Sequence, residues 1–341
     1  MTDYDVVIVG AGPAGFACAE TLAKNNRKVL IVEQKQEIGP KVCAGGLLGH
    51  DLDYFKIPQE LLDCKLNKVI VHSQHTTDVV ELEHPFIYTI DRKNLGQWQL
   101  KKIKDAGVEV ITGQRVVDIG DEHIFLSSGQ IMNYKILIGA DGSTSIVRKH
   151  LKLPIEKQII GIQYMIPTDK YKDMEYFFDS VLFHSWYAWI FPHKGYAIIG
   201  TVCIPRVFPS EKLQKNFHEW LKQKDIDISN AKYQAFPINV DYRGHKFGNI
   251  YLVGDAAGFA SDWSGEGIYQ ALVSGEEIAK QILDPNYKSE KLNEILEHKR
   301  LHDEILKMIE VSGVIRPLEY EMLLLLLKAR FFGKEIIEKI G

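Results

Sequence analysis

The chain has 341 residues, of which 45% are hydrophobic and 25% are charged, and its formal net charge is -4. A chain of this length buries a large core and divides into about two domains. The composition excludes a largely disordered protein, and the charge balance argues against nucleic acid as the main partner.

The cysteines and the N-terminal residues indicate the compartment. Cys18, Cys43, Cys64 and Cys203 are widely spaced and form no C-x-x-C pair, so neither a disulfide framework nor a zinc site is predicted. Acidic residues stand where a signal peptide would need positive charge, and no apolar run approaches the roughly 20 residues of a membrane span. We therefore expect a cytoplasmic protein, with contact to a membrane surface as a further option considered below.

The first third of the chain predicts a strand–helix–strand unit. Residues 5–9 are a continuous apolar, β-branched run that ends in glycine, which is typical of a buried parallel strand. Residues 14–24 carry small and apolar side chains at helical spacing, and residues 27–33 read as a second buried strand. The helix predicted over 92–106 comes next. Alternating strands and helices of this kind favour an α/β fold with a parallel sheet.

Further buried strands recur late in the chain, separated by a segment of different character. Residues 134–139 and 249–254 each read as a buried strand, whereas 159–205 is mostly aromatic-rich strand of antiparallel type. A helix is predicted over 265–283, and the last fifty or so residues look helical. We therefore predict a Rossmann-like parallel-sheet domain of 1–70, 92–158 and 237–285, an inserted antiparallel-sheet substrate domain of 71–91 and 159–236, and a C-terminal helical segment of 286–341.

A glycine-rich string, GAGPAG, begins at Gly10 directly after the first predicted strand. Gly10 permits a tight turn, Gly12 lets the backbone approach a pyrophosphate, and Gly15 allows close helix–strand packing. Free N–H groups at the helix start and the helix dipole attract phosphates. Glu33, 18 residues after Gly15, can accept hydrogen bonds from ribose hydroxyls and would repel a 2′-phosphate. The spacing predicts a bound dinucleotide other than NADP; a glycine turn without a ligand is the alternative.

Two later motifs indicate which dinucleotide is bound. Residues 139–148, GADGSTSIVR, resemble the D-G-x-x-S-x-x-R motif of flavoprotein hydroxylases, and residues 254–258, GDAAG, resemble the G-D motif of the same superfamily. In that superfamily the Asp of the second motif binds the ribityl chain of FAD, which implies this role for Asp255; Asp141 belongs to the first motif. The resemblance implies bound FAD in a fold like that of para-hydroxybenzoate hydroxylase.

Two helix starts are further candidates for contact with FAD. Residues 264–268, SGEGI, open a helix whose N-terminus points at the flavin pyrimidine ring in this superfamily, where its partial positive charge would stabilise the anionic reduced flavin. Asp91 and Arg92 also open a helix and resemble the family position where an Arg contacts FAD. The alternatives are a plain helix start with glycines for close packing and a capped surface helix with a solvated Arg.

Three segments indicate the branch of the flavoproteins. Hydroxylases usually carry D-A-A-H and a Pro four residues on, where this chain has Gly258 and Asp262. Residues 41–47, KVCAGGL, resemble the P-V-C-G-G-G-L type segment of geranylgeranyl reductases, and residues 187–192, YAWIFP, match the Y-x-W-x-F-P core of their signature. The chain thus resembles a geranylgeranyl reductase, although His184 replaces a Pro of that signature.

The aromatic residues of that core alternate along the predicted strand. Tyr187, Trp189 and Phe191 therefore face one side, whereas Trp186 faces the other. Three aromatic side chains on one face either fill a core or line an apolar ligand groove, and the family resemblance favours the groove. Cys43 lies in a glycine-rich loop; in related reductases a Cys here lies near the flavin. It either donates a proton, shapes the pocket or is a small buried thiol.

The C-terminal residues 317–340 form a broad apolar helical face with basic residues nearby. This helix either docks on the protein and closes the pocket or rests on a membrane surface. No histidine shows metal-ligand spacing, so no metal is predicted.

The resemblance implies an FAD-dependent oxidoreductase that reduces a carbon–carbon double bond in a prenyl or other apolar lipid chain. One G-x-G-x-x-G implies that the electron donor, NAD(P)H or a reduced redox protein, visits transiently. The rivals are an FAD-dependent monooxygenase of an apolar or aromatic substrate and a flavoprotein sensor without a substrate. The predicted catalytic residues are Cys43, Tyr187, Trp189 and Phe191, and the predicted FAD-binding residues are Gly10, Gly12, Ala14, Gly15, Glu33, Arg92, Asp141, Asp255, Gly265, Gly267 and Ile268.

Overall fold

The computed structural model describes residues 3–328 of the chain. Strands and helices are mixed along the chain up to residue 267, and the described residues after that are helical apart from short connections. The strands are β1 (Asp3–Val9), β2 (Val29–Val32), β3 (Gly46–Leu48), β4 (Leu62–Leu66), β5 (Lys68–His72), β6 (Thr77–Glu81), β7 (Ile87–Ile90), β8 (Glu109–Ile111), β9 (Val116–Ile119), β10 (His123–Leu126), β11 (Ile131–Gly139), β12 (Gln158–Pro167), β13 (Met174–Phe177), β14 (Ala188–His193), β15 (Tyr196–Cys203), β16 (Lys232–Asn239), β17 (Lys246–Phe247) and β18 (Ile250–Leu252). The helices are α1 (Pro13–Lys24), α2 (Gly49–Phe55), α3 (Arg92–Asp105), α4 (Ile146–His150), α5 (Ser180–Phe183), α6 (Ser210–Gln223), α7 (Ile268–Leu283), α8 (Glu290–Val311) and α9 (Arg316–Lys328).

An eight-stranded sheet forms the first half of the molecule. Its order is β17-β18-β11-β1-β2-β8, with β10 and β9 continuing from β11. The pairs among β18, β11, β1, β2 and β8 are parallel, as continuous apolar strands predict. Helices α1 and α7 pack together against this sheet. The carboxyl ends of β1, β11 and β18 therefore meet at one edge, where the three predicted motifs begin.

A seven-stranded sheet forms the second half of the molecule. Its order is β16-β12-β15-β14-β13-β5-β6, and only the β13–β5 pair is parallel. Its core includes Trp186, which is fully buried and donates a hydrogen bond from Nε1 to the carbonyl of Asp262. The inner face of β14 turns toward the first sheet, so the space between the two sheets is bounded by both.

A third, three-stranded sheet in the order β3-β7-β4 joins the two halves. The sequence patterns did not predict it, because its strands are only three to five residues long. The boundary predicted between residues 70 and 71 falls inside β5, which pairs with β13. The strand predicted over 134–139 is the second part of β11, which begins three residues earlier at Ile131.

The helices α8 and α9 follow the last strand, and among the described residues no helix is both long and apolar enough to span a membrane. Tyr320 of α9 packs on Phe178 beside β13, with ring centroids 5.2 Å apart, and its hydroxyl donates to the carbonyl of His184. The part of the predicted C-terminal helix beyond 328 lies outside the described residues. The parallel sheet, the inserted antiparallel sheet and these helices confirm the predicted fold class.

Candidate active site

A cavity of about 1160 Å³ lies between the two large sheets. The strand ends of the parallel sheet form one wall, and the inner face of the antiparallel sheet forms the other. Small-molecule sites usually measure about 300–1,000 Å³. The cavity therefore has room for a dinucleotide and a second ligand beside it.

The glycines after β1 form the turn that the sequence predicts. Gly10 has φ +105, and a Cβ on it would lie 2.4 Å from the carbonyl oxygen of Ala140. A Cβ on Gly15 would lie 2.2 Å from the carbonyl oxygen of Gly10, so Gly15 allows close helix–turn packing outside the cavity. Gly12 caps α1, and a Cβ there would meet only Ala140 at 3.9 Å. The open space beside Gly12 belongs to the cavity, as a pyrophosphate path requires.

Glu33 lies at the end of β2 and lines the same cavity. One carboxylate oxygen accepts the N–H of Ala11 and the other accepts the N–H of Lys35, each at 2.8 Å. These bonds fix the carboxylate at the edge of the glycine turn. Each oxygen keeps a lone pair that can accept a hydrogen bond from a ribose hydroxyl.

Arg92 and Asp141 each bring a buried polar atom without a partner to the cavity wall. Arg92 Nε and Asp141 Oδ1 are buried and have no hydrogen-bond partner within the described part of the chain. Asp141 Oδ2 accepts the N–H of Ile146 at 2.7 Å, and burial raises the pKa of this carboxyl to about 6. Buried polar atoms without partners are rare in proteins, so both atoms fit a polar ligand.

Asp255 brings the third motif to the cavity. Its Oδ2 accepts hydrogen bonds from Lys41 Nζ at 2.8 Å and from the Ser143 hydroxyl at 3.2 Å. The sequence analysis quoted Lys41 within a motif but assigned it no role. The motif residue Arg148 lies outside the cavity, where it donates to four backbone carbonyls and braces the segment that carries Asp255.

The segment before α7 also borders the cavity. Gly265 has φ +71, Gly267 caps α7 without a side-chain hydrogen bond, and Ile268 begins the helix. The first N–H groups of a helix lack internal partners and carry partial positive charge. The chain thus offers an open path beside glycines, a carboxylate with free lone pairs, a guanidinium whose Nε has no partner and a helix N-terminus, and this set of groups fits FAD.

The aromatic side chains of the Y-x-W-x-F-P segment face the cavity. Tyr187, Trp189 and Phe191 all line it, with neighbouring ring centroids 6.2 and 6.3 Å apart. They are mostly buried, so they serve both as packing and as cavity wall. The Tyr187 hydroxyl donates to the carbonyl of Ser264 at 2.7 Å, which ties this wall to the segment before α7.

Cys43 lies in the loop before β3 and also lines the cavity. Its Sγ accepts the N–H of Gly45 at 3.3 Å. His193 of β14 holds this loop, because Nε2 lies 2.9 Å from the carbonyl of Ala44 while Nδ1 lies 2.8 Å from Asp63. The sequence analysis considered His193 only as a metal ligand, and no motif signalled this role.

The sequence analysis also missed Glu266, which lies within the quoted SGEGI segment. Its carboxyl lines the cavity. Burial, with the nearby negative charge of Asp51, raises the pKa of Glu266 to about 8. A glutamate at this pKa is mostly protonated at neutral pH, which makes it a candidate acid.

The structure brings together all but one of the predicted site residues. Gly15 packs behind the glycine turn, and the others line the cavity. Among the described residues, no group of three or more His, Cys, Asp or Glu side chains could hold a metal ion. The residues that line the cavity are Gly10, Gly12, Ala14, Glu33, Cys43, Arg92, Asp141, Tyr187, Trp189, Phe191, Asp255, Gly265, Gly267 and Ile268.

Comparison with known proteins agrees with this architecture. The family described as pyridine nucleotide-disulphide oxidoreductase matches residues 4–147. The fold resembles that of a geranylgeranyl bacteriochlorophyll reductase-like protein from Thermoplasma acidophilum, with a TM-score of 0.76, 20% identity and coverage of 99% of this chain and 100% of the other. It also resembles a probable FAD-dependent monooxygenase from Pseudomonas aeruginosa, with a TM-score of 0.65, 16% identity and coverage of 94% and 97%.

One relative is similar enough in sequence to fix the family. Digeranylgeranylglycerophospholipid reductase 3 of Methanosphaera stadtmanae is 31% identical over 331 residues, which cover 87% of this chain and 83% of that protein. The chain belongs to the geranylgeranyl reductase family of FAD-dependent oxidoreductases.

Proposed function

We propose that the protein reduces carbon–carbon double bonds in a prenyl, geranylgeranyl-type chain or in another apolar lipid chain. The observation that carries this proposal is the composition of the cavity wall opposite the dinucleotide-binding residues. On β14 this wall is aromatic, and on β5 and β6 it is formed by Val69, Val71 and Val80. An apolar wall beside the nucleotide site suits a long hydrocarbon substrate.

Several of the cavity residues have a role in this proposed reaction. We infer that Gly12, Arg92 and the N-terminus of α7 bind the phosphates and the pyrimidine end of FAD, while Glu33 and Asp255 bind its sugar chains. Reduced FAD, when bound, supplies hydride. Tyr187 and Trp189 exclude water and orient the hydrocarbon chain.

Lys41 and the loop around Cys43 would form a third wall of the site, beside the walls that the two large sheets provide. Lys41 Nζ bonds to Asp255, so it places a positive charge beside the region where the cofactor gains electrons. His193 and Gln163 fix the loop, since the amide of Gln163 donates to the carbonyl of Cys43 at 3.3 Å. The Cys43 thiol would thereby face the substrate chain and shape its path.

The electron donor is proposed to be NAD(P)H or a reduced redox protein that visits the site. The chain contains one G-x-G-x-x-G string, and the turn at Gly10 serves the dinucleotide cavity. The donor would therefore meet the flavin at the open side of the cavity. No stable second nucleotide domain is needed for this exchange.

We also propose peripheral contact with a membrane, which would supply the lipid. Five exposed apolar side chains, here named the α8–α9 patch, lie along the end of α8 and along α9. Each is at least half exposed. Apolar side chains grouped on one surface of a helical segment favour the interfacial layer of a bilayer. The α8–α9 patch consists of Met308, Val311, Ile315, Leu318 and Met322.

A monooxygenase is the second candidate, because the fold resembles that of a probable FAD-dependent monooxygenase. Asp262 weighs against it, since this residue stands where the hydroxylases usually carry Pro. A sensor without a substrate is disfavoured by the size of the cavity in front of Trp189, where such a protein would need only a filled core.

The test is an anaerobic reoxidation assay on the holoenzyme. The flavin is reduced without oxygen, a geranylgeranylated lipid is added, and the absorbance of oxidised flavin is followed. We expect reoxidation with this lipid and none with the matched, fully saturated lipid. Flavin that stays reduced with both lipids until oxygen is admitted would contradict the proposal and favour the monooxygenase.

A further inference from the structure

Glu266 occupies an unusual position for an ionisable side chain. It lies between the two glycines that precede α7, and its carboxyl borders the cavity between the nucleotide site and the aromatic wall. Gln270, one turn into α7, hydrogen-bonds to it. Its charged neighbour is Asp51 of α2, which is itself an acid, and both Tyr176 and Tyr187 face it from the antiparallel sheet.

This environment favours the neutral acid over the carboxylate. The surrounding protein removes water from the carboxyl, and the negative charge of Asp51 opposes a second negative charge. The resulting pKa of about 8 keeps a proton on Glu266 at neutral pH and still allows it to leave. General acids work best when their pKa lies near the operating pH.

The reaction proposed above needs such a proton. Addition of hydride to one carbon of a double bond leaves the other carbon in need of a proton. We propose that Glu266 is the catalytic acid that donates this proton from its carboxyl group to the substrate carbon. This inference rests on the proposed double-bond reduction.

The atoms and electrons of the step balance. The π bond breaks, one carbon gains hydride from the reduced cofactor, and the other gains the proton of Glu266, so that two C–H bonds form. The substrate gains two electrons, the cofactor loses two, and Glu266 is left as a carboxylate. Solvent then returns the proton.

Asp51 and His50 line the same cavity as Glu266. Asp51 is buried, and its Oδ1 lies 3.2 Å from Nε2 of His50. The side chain of His50 is 46% exposed and packs edge-on against Tyr269, with ring centroids 5.0 Å apart. His50 therefore gives this cavity an ionisable group that is in contact with solvent.

Several other residues in the cavity wall carry a dissociable proton. Burial and the charge of Glu266 raise the pKa of Tyr187 well above its usual value, which makes it a poor acid, and its hydroxyl donates its hydrogen bond to the carbonyl of Ser264. The thiol of Cys43, whose Sγ accepts the Gly45 N–H, is another competitor and is tested below.

The test compares Glu266→Gln and Glu266→Asp with Cys43→Ser and with Glu276→Gln as matched control. Glu276 lies on the same helix and pairs with Lys280 outside the cavity. In anaerobic single-turnover reoxidation by the prenyl lipid, we expect Glu266→Gln to be slower by about 10²–10⁴-fold. Glu266→Asp should recover part of the rate, while Glu276→Gln stays within a few-fold of the wild type.

A second readout does not depend on turnover. Infrared titration of the oxidised holoenzyme without substrate should show a protonated carboxyl that ionises near pH 8 and is missing in Glu266→Gln. Thermal melts establish that each variant is folded. If Glu266→Gln does not fold, Glu266→Asp takes its place in both measurements.

The outcomes separate the two proposals. A wild-type protein that leaves the lipid unreduced overturns the proposed function, and the acid role falls with it. If the wild-type protein reduces the lipid and the Glu266→Gln variant does so at the same rate, only the role of Glu266 is overturned. A large loss in Cys43→Ser with full activity in Glu266→Gln would assign the proton to the thiol.

Discussion

At the scale of single residues, the glycines and the acidic residues of the cavity have different proposed roles in binding and in chemistry. Gly12 and Gly15 differ by three positions in one motif, yet a Cβ would meet open space at the first and backbone 2.2 Å away at the second. The motif fixed the positions of both glycines from the sequence. Their separate roles, one toward the ligand and one toward packing, emerge only from the geometry.

Gly12→Ala and Gly15→Ala should therefore fail in different ways. We expect Gly12→Ala to keep the melting temperature of the FAD-free protein but to weaken FAD binding about tenfold to hundredfold, because its methyl group enters the phosphate path. Gly15→Ala should lower the free energy of unfolding by at least about 2 kcal/mol. Thermal melts and fluorescence titration with FAD check both. Equal stability losses in the two variants would contradict the assignment.

Ionisation of Glu266 also predicts a dependence of stability on pH. Its pKa is raised from 4.5 to about 8 in the folded protein, so the unfolded chain ionises first as pH rises. Stability should fall by up to a few kcal/mol between about pH 5 and pH 8 through this group. Glu266→Gln should remove that loss and be more stable than the wild type at pH 9. Urea unfolding at pH 5 and pH 9 measures the difference, and an identical pH dependence in both proteins would contradict it.

The sequence indicated the segment that contains Glu266 but not the role of Glu266 as an acid. The SGEGI segment was singled out for its glycines and helix start, and Glu266 inside it attracted no role. Its protonation depends on Asp51, which lies more than two hundred positions earlier in the chain. Likewise, the bond between His193 and the Cys43 loop joins segments that no motif links.

At the scale of elements, charged contacts hold α8 against the segment that precedes α7. Lys157 Nζ bonds to both Asp262 and Asp303, and Lys299 of α8 donates to the carbonyl of Ala260 at 2.8 Å. Asp262 is fully buried, and burial together with Asp303 raises its pKa to about 6. Asp262 stands where the hydroxylases usually carry Pro. It thus has a structural role, because it helps to anchor α8.

Lys157→Met should test this anchor. Lys157 and Lys299 both lie near the buried Asp262 charge, so removal of Lys157 takes away part of its compensation and should cost about 3 kcal/mol of unfolding free energy at pH 8. The cost should be smaller at pH 5, where Asp262 is largely protonated. Urea unfolding at both pH values provides the measurement, with Lys149→Met on the exposed side of α4 as control. A pH-independent loss would contradict the role of the Asp262 charge.

Element prediction from sequence succeeded where the apolar pattern was long. β1, β2 and β11 follow from continuous apolar runs that end in a motif, and α3 follows from helical spacing after Asp91. The small sheet of β3, β4 and β7 escaped prediction, since strands of this length carry too little periodicity and pair across distant segments.

At the scale of the whole molecule, three motifs spread over most of the chain meet in one cavity because each follows a parallel strand. Strand ends of a parallel sheet share an edge, so the convergence was predictable. The depth of the cavity was not predictable, because it depends on how the inner face of the antiparallel sheet is placed against that edge. Family resemblance supplied the cofactor and the type of substrate.

Membrane contact is tested at this scale through the α8–α9 patch. The double variant Val311→Glu/Leu318→Glu should bind vesicles of prenyl lipid in phosphatidylcholine about tenfold more weakly, since two exposed apolar side chains become charged. Val117→Glu, exposed on β9 in the other half of the molecule, is the control. Vesicle sedimentation measures binding. Equal binding by all three proteins would place the membrane contact elsewhere.

In the proposed reaction, electrons from the bound flavin saturate a double bond of an apolar chain. The most direct measurement is the mass of the lipid recovered after one anaerobic turnover, taken together with the amount of flavin oxidised. We expect a gain of two hydrogen atoms per lipid molecule for each flavin oxidised, and no such gain with oxidised enzyme. An unchanged lipid mass, or a product that gains oxygen once air is admitted, would contradict it.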